Sequence, residues 1–312
     1  MVYYNYNNTG GSAAVKKLFG IVAFIAVVIT GIAALMYKKY LKTDSRKGFC
    51  GEQPEENKKW LDNTEYQDIY MVSRDDYCLH AMMFDNNSDN WVILVHGYDA
   101  DGTYMTTYAT KLYEEGYSIL SIDQRGCGLS GDNETTMGHL EKNDVADWAK
   151  KLTEEYNARN IMLLGVSMGA ATVMLASAEQ LPDTVRCIVE DCGYSSVREQ
   201  FEHSIVKVLH IPPYPVLWVN DLITRFKKGW SVLKDADCVK AVSRAKVPIL
   251  FIHGEADDFV PFGMQAKVYE ACKRDDKEII TVKDAAHTEA VVKDPELYWN
   301  AVLGFMNKHF VK

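Results

Sequence analysis

"LLGVSMGAAT", Leu163 to Thr172, sets one serine between two glycines, after an apolar run and ahead of a run of small residues. The apolar run reads as a strand buried on both faces, and the small residues after Ser167 read as a helix packed closely against it. Gly165 to Gly169 therefore satisfies G-x-S-x-G in the strand-turn-helix context that the motif requires. Gly165 and Gly169 suit the elbow, because the serine backbone is strained there and neighbouring segments approach closely. By itself the pentapeptide also fits an ordinary structural turn, so its partners have to be sought elsewhere in the chain.

Outward from this stretch the pattern repeats. "WVILVHG" (91–97), "YSILSID" (117–123), "CIVEDCG" (187–193), "VPILFIHG" (247–254) and "EIITVKDAAH" (278–287) are short apolar runs bounded by turn residues. Between them lie amphipathic stretches such as "NDVADWAKKLTEEY", "GMQAKVYEACK" and "PELYWNAVLGFMNKHF". Strand and helix alternating in this way predict an α/β fold with a mostly parallel, doubly wound sheet. "YQDIYMV" and "YCLHAMMF" read as two antiparallel strands that open the domain. One connection breaks the rhythm: from Gly193 to Val247 there are helical patterns and the breakers "HIPPYP" (210–215), but no strand. A connection of that length in a compact domain is usually functional, and we expect residues 194–237 to form a helical cap over the carboxyl edge of the sheet.

Residues 18–37 carry no charge and are close to the length a helix needs to cross a bilayer. Lys16, Lys17, Lys38 and Lys39 bracket them. The expected organisation is a disordered N-terminus (1–15), a transmembrane anchor (16–39), a linker (40–60) and the α/β domain (61–312). A cleaved signal peptide is the rival, although its apolar core is usually shorter and ends in a small-residue cleavage site. Positive charge is denser after the span than before it, which leans toward a cytoplasmic domain. Seven cysteines, an odd number without disulfide-framework spacings, lean the same way. The net charge of −9 argues against a nucleic-acid partner.

Partners for Ser167 appear in the order this architecture demands, serine, then acid, then histidine. "HGEADDFVP" sets Asp257 just past one strand end, with Asp258 as the competing carboxylate, and "AAHTEA" sets His287 past the last strand. All three fall on one rim of the sheet. A serine hydroxyl is a weak nucleophile, so a histidine must take its proton and return it to the leaving group, while a carboxylate fixes the imidazole tautomer. His80, His96, His139, His203, His210, His253 and His309 lack that placement; His96 and His253, each ending a strand before glycine, read as satisfied turn residues. The tetrahedral intermediate needs two amide donors, assigned to Met168 and Tyr98. "DQRGCGLSG" (123–131) reads as a structural turn with an internal Asp123 or Arg125 network, since it matches no phosphate-binding loop.

The segments "LVHGY", "DQRGCGLSG", "GVSMGAAT", "EDCGYSS", "PILFIHGEADDFVP" and "AAHTEA" resemble those of the serine α/β-hydrolases. The likeness is to the bacterial membrane-associated group related to S33 serine aminopeptidases, cinnamoyl-type esterases and lysophospholipase-like enzymes. It covers about residues 66–312 and implies the same triad and the same oxyanion donors. Cys127 departs from the pattern, where many relatives carry histidine, and so puts the pocket edge in question. The expected activity is cleavage of carboxylic esters or amides through an acyl-enzyme, with no cofactor and no metal. The partners expected are a small ester or amide substrate and the bilayer. An aminopeptidase-type enzyme and a non-catalytic binding module at the membrane stand as alternatives.

Overall fold

The computed structural model describes residues 9–43 and 54–311. Helix α1 (Thr9–Tyr40) and helix α2 (Glu55–Asn63) precede the strands β1 (Gln67–Val72), β2 (Cys78–Phe84) and β3 (Asn90–Val95). Then come α3 (Thr106–Glu114), β4 (Ser118–Ile122), α4 (Glu141–Glu155), β5 (Asn160–Val166), α5 (Met168–Ala176) and β6 (Val185–Asp191). An insertion follows with α6 (Val197–Ser204), a π-helical turn (Ile205–Leu209), α7 (Val216–Lys228) and α8 (Cys238–Val242). The chain ends with β7 (Ile249–Gly254), α9 (Gly263–Ala271), β8 (Glu278–Val282), α10 (Ala290–Lys293) and α11 (Pro295–His309).

The strands form one eight-stranded sheet in the order β1-β2-β4-β3-β5-β6-β7-β8. Only β2 runs against its neighbours, pairing antiparallel with β1 and β4, and the rest of the sheet is parallel. The period of two along each strand sorts the core into two layers. Trp91, Ile93 and Val95 face the side covered by α4, α5 and α9, whereas Val92 and Leu94 face α3 and α11. Both faces are covered, so the strands are continuous apolar runs rather than alternating ones, as the sequence predicts for a parallel sheet.

Two expectations at the N-terminal side and one at β8 need correction. Residues 1–8 of the segment expected to be disordered lie outside the described residues, but Thr9 to Val15 are helical and continuous with the apolar run. Once that run nucleates a helix, extension costs little, and Ala13 and Ala14 favour it. The expected linker is also more ordered than its charge suggests, apart from residues 44–53, which lie outside the described residues. Leu41 is buried, the Thr43 amide donates to Asn133 O at 3.0 Å, and Thr135 N donates to Leu41 O at 2.8 Å. Within the same segment, α2 sets the Trp60 ring 5.1 Å from Phe84 and 5.8 Å from Tyr113, and Asn57 donates to Thr107 at 2.6 Å. Finally, the run read to residue 287 stops as a strand at Val282, because β8 has a neighbour only along Leu250–Gly254 of β7. The remaining residues turn back to carry His287 over the sheet edge.

Candidate active site

The carboxyl ends of β3, β5, β6, β7 and β8 share one edge, and the chain turns there five times within a small volume. At β5 the turn is sharp. Ser167 takes φ 57° and ψ −115°, which an L-residue holds only when its surroundings enforce it. Its amide donates to Asp191 O at 2.8 Å, pinning the elbow to the end of β6. A Cβ on Gly165 would run into the backbone of Gly169, and one on Gly169 into the carbonyl of Val95, so the two glycines let β3, β5 and α5 approach backbone to backbone. The motif is thus a packing requirement as well as a signature.

Ser167 Oγ lies 2.8 Å from His287 Nε2, and His287 Nδ1 lies 2.7 Å from Asp257 Oδ2. The three residues sit on three loops of the same edge. Burial alone would raise the Asp257 carboxyl, but hydrogen bonds from His253, His287 and the Val260 amide outweigh it and hold the group well below the usual carboxylate range. Asp258 points the other way, its side chain 86% exposed and paired with Lys207, which separates the two neighbouring carboxylates without ambiguity. The Met168 amide, first of α5, has no acceptor within its own helix, since the first N–H groups of a helix never do. Gly97 packs on Ser167, with the position of a Cβ 3.4 Å from the serine Cβ, and brings the next residue, Tyr98, to the site.

Other predicted residues fall away from the reacting groups. His80 bridges Asp123 and Asp68, His139 stacks on Trp230, His203 faces Asp258 O, and His309 packs on Phe305. His96 is a satisfied turn residue: Gln124 N donates to its Nε2 at 3.0 Å, and its Nδ1 meets Gly97 O at 2.7 Å. The glycine-rich turn is structural, with Asp123 accepting from the Gly102 and Leu129 amides and Arg125 forked between Asp144 and Asp75. Cys127 is buried outside the cavity wall, so the departure at that position does not reshape the pocket edge.

Sequence reasoning missed four contributors. His253 is more than a turn residue, because its Nε2 lies 3.2 Å from Asp257 Oδ2 and 3.0 Å from Val260 O, so the carboxylate is held from two sides. Its i, i+4 spacing to Asp257 at a strand end was the available signal. Glu190 is fully buried behind it and accepts from the Gly193 amide at 3.0 Å. Its neighbour Asp191 accepts from Tyr298 at 3.1 Å and Tyr108 at 3.4 Å. The fourth is α1 itself. An apolar cavity of about 100 Å³ opens beside Ser167, walled by Met137, Phe201, Val208 and Phe259 and closed on one side by Met36 and Tyr40 of α1. Nothing in a local pattern could place a residue 127 positions upstream beside Ser167. The Phe259 ring also lies 4.8 Å from the His287 ring and shields it.

The family model described as "Serine aminopeptidase, S33" matches residues 86–232 and 223–294. The chain belongs to the S33 serine aminopeptidase family. That membership makes it a serine hydrolase, as the sequence resemblance implied. The Bacillus subtilis (strain 168) protein YqkD is 25% identical over 223 residues, which are 71% of this chain and 72% of that protein. A thermostable monoacylglycerol lipase from Bacillus sp. (strain H-257) is 22% identical over 240 residues, 70% of this chain and 90% of the lipase. Among solved structures, the Pyrococcus furiosus esterase Pf2001 superposes with a TM-score of 0.68 at 24% identity, over 85% of this chain and 99% of the esterase. The α/β-hydrolase fold is therefore shared across the S33 domain.

Proposed function

We propose that this S33 hydrolase cleaves carboxylic esters with an apolar acyl group, through an acyl-enzyme on Ser167. The observation that carries the reading is the Ser167–His287 hydrogen bond of 2.8 Å at the floor of an apolar cavity. Ser167 Oγ attacks the ester carbonyl carbon while its proton passes to His287 Nε2. Asp257 stays ionised and stabilises the imidazolium without taking the proton. The developing oxyanion lies against the Met168 and Tyr98 amides, which donate to it. When the intermediate collapses, the C–O bond to the alcohol breaks and the alkoxide leaves with the proton from His287. Water then repeats the sequence, releasing the acid and restoring the serine.

Esters are favoured over aminoacyl amides by the composition of the wall. An aminopeptidase must hold a free ammonium group, yet among the described residues the cavity is lined by no Asp or Glu. The similarity to a monoacylglycerol lipase points in the same direction. Labelling by a fluorophosphonate probe, lost in Ser167→Ala and His287→Ala, tests the nucleophile; a 4-nitrophenyl ester series against an aminoacyl-anilide series tests the class. Anilide turnover above that of every ester would overturn the ester reading, and a folded wild type that takes up no label would overturn the triad.

The same reading takes α1 as a single-pass anchor with the hydrolase on the cytoplasmic side. Its Ala14–Tyr40 segment is long and apolar enough to cross a membrane, and most of its side chains are exposed. A signal peptide would be removed on maturation, whereas this helix ends inside the hydrolase: Asn220 donates to Ala33 O at 3.1 Å, and Tyr98 Oη donates to Lys39 O at 2.9 Å. Resistance of the full chain to alkaline carbonate extraction, with the N-terminus intact by mass, tests the anchor.

A further inference from the structure

The last turns of α1 do two things at once. Ala33, Met36 and Tyr37 are buried against the body of the protein, while Leu35 on the other side is 68% exposed. The contacts with α7 fix the direction of the insertion relative to the span. Ala33 is bonded to Asn220, and Tyr37 lies under Lys227, so α7 runs alongside α1 with its N-terminal end at the membrane end of the contact. From Leu18, just past Lys16 and Lys17, to Tyr37 the helix is about 30 Å long at 1.5 Å per residue, matching the ~30 Å hydrocarbon thickness. With α1 in a bilayer, the hydrocarbon boundary therefore falls near Tyr37, and Ile32 to Met36 lie in the outer acyl region beside Leu209 and Ile211.

At that level the insertion leaves apolar side chains in the open. Val206, Val208, Leu209 and Trp218 are all at least 40% exposed. A second, mostly apolar groove of about 320 Å³ lies there, bounded by Ile32, Leu35, Met36, Lys39 and Tyr40 of α1 and by Leu209 and Ile211. Met36 and Tyr40 are common walls of this groove and of the cavity at Ser167, and Val208 reaches from that cavity to the protein surface. Side chains of α1 therefore border both the groove and the cavity at the serine.

We propose that this groove is a lateral portal through which the acyl chain of a membrane lipid ester passes from the leaflet to Ser167. On this account α1 is a wall of the substrate site as well as an anchor, and the substrate class is a long-chain acyl ester resident in the bilayer. The inference rests on the ester-hydrolase and anchor readings above. The groove is lined mostly by apolar side chains. Beside a lipid leaflet it is a route that spares the acyl chain a passage through water, which apolar surface avoids.

The test uses the full chain reconstituted in phosphatidylcholine vesicles, with a monooleoyl glycerol in the bilayer and 4-nitrophenyl acetate in the water as competing substrates. Leu209→Glu puts a charge in the groove, and Ile211→Trp narrows it without one; both lie on the insertion and leave the α1 sequence intact. The ratio of bilayer-ester to acetate turnover is expected to fall at least tenfold in both. Fluorophosphonate labelling of each variant reports whether Ser167 is still assembled. An unchanged ratio in a labelled variant overturns the portal alone, leaving the ester hydrolase standing. No labelling of the wild type overturns the nucleophile and the portal with it.

Discussion

On the proposed mechanism, Ser167→Ala removes the hydroxyl that His287 activates, and Asp257→Asn leaves the imidazole with the wrong tautomer. Asp257→Asn should lower ester turnover by about 10⁴-fold and Ser167→Ala by about 10⁶-fold in steady-state assays, while both leave the near-ultraviolet circular dichroism unchanged. Glu190 makes a separate prediction about stability. Burial pushes its carboxyl up to about 8 from an ordinary 4.5. Between those values the folded protein holds a proton that the unfolded chain has released, so this group lowers folding stability progressively as pH rises from 4.5 to about 8. Glu190→Gln keeps an acceptor for the Gly193 amide and removes the titration. Measured by urea denaturation, the variant should gain on the wild type as pH rises, by on the order of a few kcal/mol at pH 8. A difference that stays flat with pH would show that Glu190 is not the proton holder. At this scale Ser167, Asp257 and His287 were legible because each is announced by a strand end and a turn. His253, Glu190 and Asp191 were not, because what they do depends on which loops meet behind the site.

The elbow between β5 and α5 is an element whose tolerance can be stated in advance. A methyl group at position 169 would overlap the carbonyls of Val95 and His96, which are backbone and cannot rotate away. Gly169→Ala should cost about 3 kcal/mol or more by chemical denaturation, and it should lower activity beyond the loss of folded protein as the elbow shifts. The parallel strands were readable from their apolar runs, since burial on both faces leaves no room for polar positions. Helix α2 was not, because "EENKKWLDN" is mostly charged and has no apolar period. What makes it an ordered helix is the seat of Trp60 against Phe84 and Tyr113. Trp60→Ala should therefore destabilise the hydrolase by about 2 kcal/mol, a loss that a free linker would not show. Denaturation midpoints of wild type and variant decide between the two.

Across the whole molecule, α1 and the hydrolase are one packing unit rather than a body on a tether. Removing residues 1–43 would uncover the face that Ala33, Met36, Tyr37 and Leu41 now bury. The remaining fragment should melt several degrees lower in scanning calorimetry and bind more of an apolar dye than the full chain in detergent. A melting temperature within a degree of the full chain would mean that the helix is only a leash. The sequence by itself determined the sheet, the order of its strands and helices, the elbow and the three residues of the candidate triad. It could do so because alternation of apolar runs, glycine at tight turns and chain order are local properties. Only the tertiary structure decided that α1 walls the cavity, that Asp257 is held by two histidines, and that a charged segment forms a docked helix. Each of those depends on surfaces brought together from distant parts of the chain, where the energy lies in shape and burial and leaves no periodic trace in the residues themselves.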